Sequence, residues 1–270
     1  MKALFAALIS LALFSSGSFA LSLISMETTI IYGMMRYGER TDGFQYQGVI
    51  GNLDSSSDPS AASLGVSVER PVDRGFIGAR MILPLLKTTA KESWRFNGTE
   101  FQVNDLSYTL TGLDLYGGYP FGPLGRMMFG LNLTKAEQTR NNFVQGGVPI
   151  PIGTSTEMIN SVNVFAGFRG DLAADRFTVE YGLRAIMPVS VLTTNTLLPD
   201  FSFSSGGYSL AADIGVKMPV TEISSVSCGL GYKFIHYDGS GWVTQGAQTA
   251  KWPANDTTSL DIKISYTTKF

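Results

Sequence analysis

Hydrophobic and polar residues alternate along most of this chain with a period of two. In the last eleven residues one face carries Leu260, Ile262, Ile264, Tyr266, Thr268 and Phe270, and the other carries Asp261, Lys263, Ser265, Thr267 and Lys269. Side chains of a β-strand point alternately to its two faces, so the pattern predicts a strand with one apolar and one polar face.

The same rhythm recurs upstream, in runs around residues 127–133, 162–168, 177–189, 208–218 and 226–234. The runs have about 9 to 14 residues, the length that a tilted strand needs to cross a bilayer. Strands of soluble proteins average about 5 or 6 residues. The length therefore favours a membrane barrel whose apolar face meets lipid, with a soluble, secreted β-protein as the competing interpretation.

Short and long connections alternate between these runs. Tight turns are expected near 70–73, 119–125, 170–176 and 219–224, and long polar loops near 86–103, 134–157, 192–206 and 238–256. The remaining strands are a spanning strand at 27–37 that continues into 44–50, an inward strand at 61–69 and an outward strand at 74–85. The chain thus predicts an all-β fold, a single antiparallel transmembrane β-barrel of about ten strands, with eight or twelve as alternatives.

One segment departs from the rhythm. In 105–119 the apolar phase follows Leu106, Tyr108 and Leu110 and then shifts to Leu113, Leu115 and Tyr119. A β-bulge near residues 111–112 would restore the register, as would a small error in the strand boundaries.

The C-terminal strand also carries a resemblance. An apolar alternation that finishes in a terminal Phe resembles the C-terminal signature of bacterial outer-membrane barrels, which their assembly machinery recognises; Tyr266 and Phe270 are the residues that match it. The resemblance covers residues 260–270 and the strand rhythm of the chain, and it indicates a broad class. It implies a Gram-negative cell envelope, the outer membrane as location, and membrane lipid and the assembly machinery as partners.

The N-terminus has the features of an export signal. Lys2 precedes an apolar stretch at 3–14, and Ser18 and Ala20 supply small residues before a cleavage site after Ala20. The stretch is too short for a spanning helix. We therefore expect a Sec signal peptide at 1–20 and the outer-membrane barrel at 21–270.

Composition narrows the chemistry. The formal net charge of −2 offers no basic excess for a nucleic-acid backbone, so nucleic acid is not an expected partner. Cys228 and His236 are the only cysteine and histidine. Clusters of His and Cys ligands are thereby excluded, and neither a metal nor a cofactor is expected.

The polar faces of the strands define a predicted barrel interior. Ten charged residues are expected to face it: Arg80, Arg126, Arg169, Glu180, Arg184, Asp213, Lys217, Lys233, Asp261 and Lys263. Asp213 could meet Lys233, and Glu180 could meet Arg169. Such a set predicts either a lumen filled by a salt-bridge network or a narrow, porin-like pore whose basic excess favours small anions.

Two kinds of candidate site remain. His236 lies in His236-x-Asp238, the reverse of the Asp-x-His pair of omptin-like proteases, and Asp238 replaces the Ser of the His-x-Ser pair in lipid A deacylases. We therefore expect no enzyme and no catalytic residue. The outer loops carry aromatic residues that could bind an extracellular ligand or close the barrel mouth: Trp94, Phe96, Phe101, Phe143, Phe201, Phe203, Trp242 and Trp252.

The sequence thus predicts a barrel with a structural or surface-interaction role. A narrow solute channel is the alternative, and an outer-membrane hydrolase is a more distant one.

Overall fold

The computed structural model of the protein describes residues 24–122 and 125–270. The predicted signal peptide at 1–20 lies outside the described residues. The strands are β1 (Ser25–Tyr46), β2 (Val49–Ser57), β3 (Ser60–Val72), β4 (Gly75–Lys87), β5 (Thr89–Phe96), β6 (Thr99–Phe121), β7 (Gly125–Gln145), β8 (Val148–Pro149), β9 (Ser155–Ala174), β10 (Phe177–Asn195), β11 (Leu198–Ser205), β12 (Gly207–Pro219), β13 (Ser224–Tyr237), β14 (Val243–Gln245), β15 (Gln248–Ala250) and β16 (Ala254–Lys269). Within the described residues, no helix is long and apolar enough to cross a membrane.

Ten of the strands in the described part of the chain form a closed antiparallel ring. The order is β1, β3, β4, β6, β7, β9, β10, β12, β13 and β16, and β16 pairs again with β1. Closure leaves the ring without free strand edges. The prediction of an all-β antiparallel barrel of about ten strands is confirmed.

The chain ends meet at one end of the ring. The main chains of Ile24 and Phe270 exchange two hydrogen bonds, of 3.1 and 2.9 Å. Tyr266 lies outward and half exposed, and the Phe270 side chain is 68% exposed. All four tight turns lie at this same end, which is the periplasmic end in outer-membrane barrels. Recognition of Tyr266 and Phe270 by the assembly machinery stays a prediction.

At the other end the strands are longer than the alternation predicted. β6 has 23 residues and β7 has 21. The expected loops at 86–103, 134–157 and 192–206 are therefore wrong as loops over much of their length, since β5, β11 and the extended ends of β6, β7, β9 and β10 occupy them. In these segments the outer face of the barrel is exposed to water, so its residues are polar. The sequence therefore lacks the apolar alternation that identifies the lipid-facing strands. The expected loop at 238–256 is a connection that contains only the short hairpin of β14 and β15 before β16 begins at Ala254.

A belt of outward apolar side chains surrounds the lower part of the ring. Ile30, Leu183 and Ile264 each expose more than half of their surface, as do many others in register with them. Such an apolar belt is the surface that a bilayer covers. Exposed outward charges, such as Arg36 and Lys135, mark its upper limit.

β6 shows how the two zones differ. Its backbone pairs with β7 without a break from Asp105 to Phe121, so a bulge near 111–112, one of the two explanations for the shifted phase, is absent. The side chains of Leu106 and Tyr108 point inward and are buried, whereas Leu115 points outward and is 40% exposed. The apolar side chains of β6 change faces because the apolar environment changes sides. Within the membrane that environment is the lipid outside the barrel, and above the membrane it is the packed interior.

Candidate functional site: the barrel interior

The lower interior contains two cavities, of about 490 and 130 Å³. The larger one reaches the short-turn end, where Ser25, Asp171 and Lys269 line it. The structure places all ten charged residues predicted to face the lumen on the walls of these cavities: Arg80, Arg126, Arg169, Glu180, Arg184, Asp213, Lys217, Lys233, Asp261 and Lys263.

The two ion pairs expected from sequence are wrong. Glu180 binds Lys217, at 2.8 Å. Arg169 instead binds both carboxylate oxygens of Glu69 across the barrel, at 2.6 and 2.5 Å. In the register of β9 and β10, Glu180 lies opposite Asp171, which leaves Arg169 two positions away.

Asp213 and Lys233 also fail to pair. Asp213 lies opposite Gly182 and Gly231, and its carboxylate packs over Gly182, where an added Cβ would lie 3.0 Å from it. No ion pair joins it to Lys233.

Sequence reasoning missed four acidic residues of the same walls, Glu27, Glu69, Asp114 and Asp171, and one basic residue, Lys269. Asp114 accepts hydrogen bonds from Asn132 at 2.6 Å and from Arg184 at 3.1 Å. Its place between the lipid-facing Leu113 and Leu115 was the signal that could have identified it. With these residues eight basic side chains on the cavity walls face seven acidic ones, and the basic excess that suggested anion conduction nearly disappears.

Above the cavities, an apolar layer fills the barrel. It contains Tyr108, Ala136, Ile159, Val191, Phe201, Phe203, Ile235, Tyr237 and Trp252, none more than 9% exposed. Of the aromatic residues assigned to outer loops, Phe201, Phe203 and Trp252 belong to this layer and close the mouth of the barrel. Phe143 is also buried, whereas Trp242 is 56% exposed.

A second group, Phe44, Tyr46, Phe96 and Phe101, makes edge-to-face ring contacts near the tip of the first hairpins, with centroids 4.8 to 6.2 Å apart. Such contacts stabilise the hairpins against one another.

A buried ionic network lies beside the apolar layer, on the extracellular side of the belt. Arg140 binds Glu92 through Nε at 2.7 Å and Glu39 through Nη2 at 2.6 Å, and Glu157 lies 3.9 Å from Nη1. None of these four side chains is more than 7% exposed.

Neutral donors complete the network. The Tyr37 hydroxyl donates to Glu39, and Asn104 donates to Glu92 at 2.8 Å. The Trp252 indole donates to Glu157 at 3.0 Å. Because one guanidinium faces three carboxylates in a dry site, burial raises the pKa of Glu39 to about 7, with Arg140 acting in the opposite direction. Burial likewise raises the pKa of Glu157.

His236 lies outside the barrel, not in its interior. It alternates with the outward residues of β13, and its Nδ1 and Nε2 lie 2.7 and 3.2 Å from carboxylate oxygens of Asp256 and Asp238. Partial burial acts to lower the pKa of His236, but the hydrogen bond and charge of Asp256 and Asp238 raise it overall. A carboxylate at each ring nitrogen stabilises the charged form of the imidazole.

No cluster of three or more His, Cys, Asp or Glu side chains in residues 24–122 and 125–270 is arranged to hold a metal ion.

Comparison with known proteins identifies the fold. No protein-family model and no curated protein matches the sequence. Among solved structures, the outer membrane protease OmpT of Escherichia coli is similar with a TM-score of 0.72 at 11% identity, over 95% of this chain and 99% of that one. The transport unit of the autotransporter AIDA-I of Escherichia coli has a TM-score of 0.40 at 12% identity, over 97% and 96% of the two chains. Neisserial surface protein A has a TM-score of 0.35 at 9% identity, over 90% and 97%.

The chain therefore has the fold of a bacterial outer-membrane β-barrel. Together with the belt of outward apolar side chains, this fold supports the predicted location in the outer membrane.

Proposed function

We propose that the protein is a sealed outer-membrane barrel that presents its extended extracellular strands as an interaction surface. The observation that carries the proposal is the filling of the extracellular half of the lumen by the apolar layer around Tyr108 and Trp252 and by the network around Arg140. A water-filled path would have to cross both.

The tips of the extracellular hairpins support the interaction role. Ile50 is 70% exposed, Val148 63% and Trp242 56%, and all three lie far above the lipid belt. Apolar side chains that remain exposed to water add little to the stability of the fold, but they can be buried by a binding partner. Substitution of all three by Ser should reduce the adhesion of cells that display the protein, while heat-modifiable gel mobility stays that of the folded barrel.

We propose no catalytic role. The outward position of His236 and its two carboxylate neighbours do not support the hydrolase alternative. His236→Ala should therefore leave the adhesion of cells that display the protein unchanged. Loss of a lipase or protease activity in this variant would contradict the proposal.

Planar-bilayer recording with the purified, folded protein tests the sealed lumen. We expect a baseline without sustained conductance steps. Steady open-channel current would overturn the proposal in favour of the narrow-channel alternative.

A further inference from the structure

Two arginines lie side by side at the short-turn end of the larger cavity. Arg126 on β7 and Arg169 on β9 are directly opposite each other in the strand register. Like charges opposite one another on neighbouring strands are destabilising unless an anion compensates them. Some negative charge must therefore lie between them.

One carboxylate serves both. Glu69 accepts from Arg126 Nη1 at 3.1 Å and from Arg169 Nη2 at 2.6 and 2.5 Å. A guanidinium has five N–H donors, so each arginine keeps unused donors. Their side chains remain 42% and 36% exposed, and both guanidinium groups lie over the ring of Phe76, 5.4 and 5.3 Å from its centroid.

A third guanidinium lines the same cavity. Arg80 forms no ion pair or hydrogen bond with any part of the chain that the structure describes. In the strand register Arg80 lies opposite Asp114, which already accepts a hydrogen bond from Arg184.

Other acids line the same cavity. Glu27 accepts from Thr29 at 2.9 Å, Asp114 is bound by Arg184, and the charge of Asp171 acts on Arg169. Glu69 contacts both Arg126 and Arg169, so two guanidinium groups share one carboxylate.

We propose that this cavity binds an oxyanion, the phosphate or carboxylate group of a molecule that enters from the periplasmic end. The free N–H edges of Arg126 and Arg169 hold the oxyanion, Arg80 adds positive charge on the wall of the same cavity, and the ring of Phe76 lies against both of the other guanidinium groups. The volume of about 490 Å³ lies within the range of small-molecule sites. This inference goes beyond the proposed surface role and does not depend on it.

Isothermal titration of the folded protein in detergent tests the proposal, with inorganic phosphate and succinate as separate probes. Low ionic strength is needed because salt screens partly exposed charges. Saturable binding of either probe supports the site, and the stronger probe identifies the group that it prefers. Absence of saturable binding of both probes overturns the proposal.

Three variants separate this site from general positive charge. Arg126→Gln leaves the ion pair of Glu69 with Arg169 in place and should weaken binding at least about tenfold, as expected for loss of a charged hydrogen bond. Glu69→Gln removes the competing carboxylate and should tighten binding, a change that a purely structural role would not produce. Lys217→Gln is the control, because Lys217 lines the same cavity but is ion-paired with Glu180. Equal weakening by Arg126→Gln and Lys217→Gln, or no tightening by Glu69→Gln, would contradict the assignment.

Discussion

Replacement of Arg140 by Met tests the network that closes the extracellular half of the barrel. Arg140 is the cation that faces Glu39, Glu92 and Glu157, and its guanidinium also lies over the ring of Trp94, 5.6 Å from its centroid. Met retains much of the apolar stem but leaves the carboxylates without their partner.

The expected cost is large. Removal of one partner from a buried ion pair destabilises by about 3 to 5 kcal/mol, since an uncompensated charge stays in the dry interior. Because about 1.4 kcal/mol corresponds to a factor of ten, local opening of the extracellular strands should increase roughly 100- to 4,000-fold.

Hydrogen exchange measured by mass spectrometry on the barrel in nanodiscs provides the assay. Peptides from the upper part of β1 and from β5 should exchange faster in Arg140→Met, whereas peptides from the lipid belt should not change. Lys135→Met is the matched control, because Lys135 lies on the same strand, is half exposed and approaches Glu137 only to 3.9 Å. Equal exchange in the two variants would refute the reasoning.

The remaining predictions concern the same end of the barrel. Because burial raises the pKa of Glu39 from 4.5 to about 7, the folded state holds more protons than the unfolded state in that window, and stability should fall as the pH rises through it. Hydrogen exchange at pH 5 and pH 8 should show this loss, and Glu39→Gln should reduce it, leaving the part that comes from Glu157, whose pKa burial also raises. Trp252→Ala should cost about 3 to 5 kcal/mol and make residues 238–253 sensitive to protease, whereas Trp242→Ala, at an exposed site, should not. The pKa of His236 measured by NMR should lie above 6.5, so any stability from its contact with Asp256 is present below 6.5 and is lost as the pH rises through the raised pKa; a midpoint below 6.5 would contradict the two hydrogen bonds.

The alternation of side chains was sufficient to predict the membrane part of the fold. Ile262 and Ile264 occupy every second place and face outward in the structure, as do Leu183 and Met187 on β10. Lipid requires an apolar surface on each spanning strand, so the pattern is direct evidence of which residues face it.

The extracellular part could not be predicted in this way. Above the belt the barrel wall has water outside and a packed interior, so the apolar side chains point inward there. In the sequence this change of face at Leu106 and Tyr108 resembles a shift in strand register. The upper strands have polar outward faces, and such segments resemble loops for the same reason.

The ionic network was also missed. Glu39, Glu92, Arg140 and Glu157 lie on four different strands, β1, β5, β7 and β9, and only the closed ring brings them together. Three of these residues fall in segments that were expected to be loops. Their spacing along the chain carries no signal, because the contacts depend on the shear of the barrel and on the length of strand above the membrane.

Depth-dependent quenching along β6 tests the central claim, that this one strand meets lipid in its lower half and lines a packed interior in its upper half. A fluorophore is attached to single cysteines in a Cys228→Ser background, and the protein is placed in brominated lipid. The account predicts strong quenching at positions 113 and 115, which face outward within the belt, and little at 108, which faces inward, or at 109, which faces outward above the membrane. Strong quenching at 108, or equal quenching at 109 and 115, would contradict it.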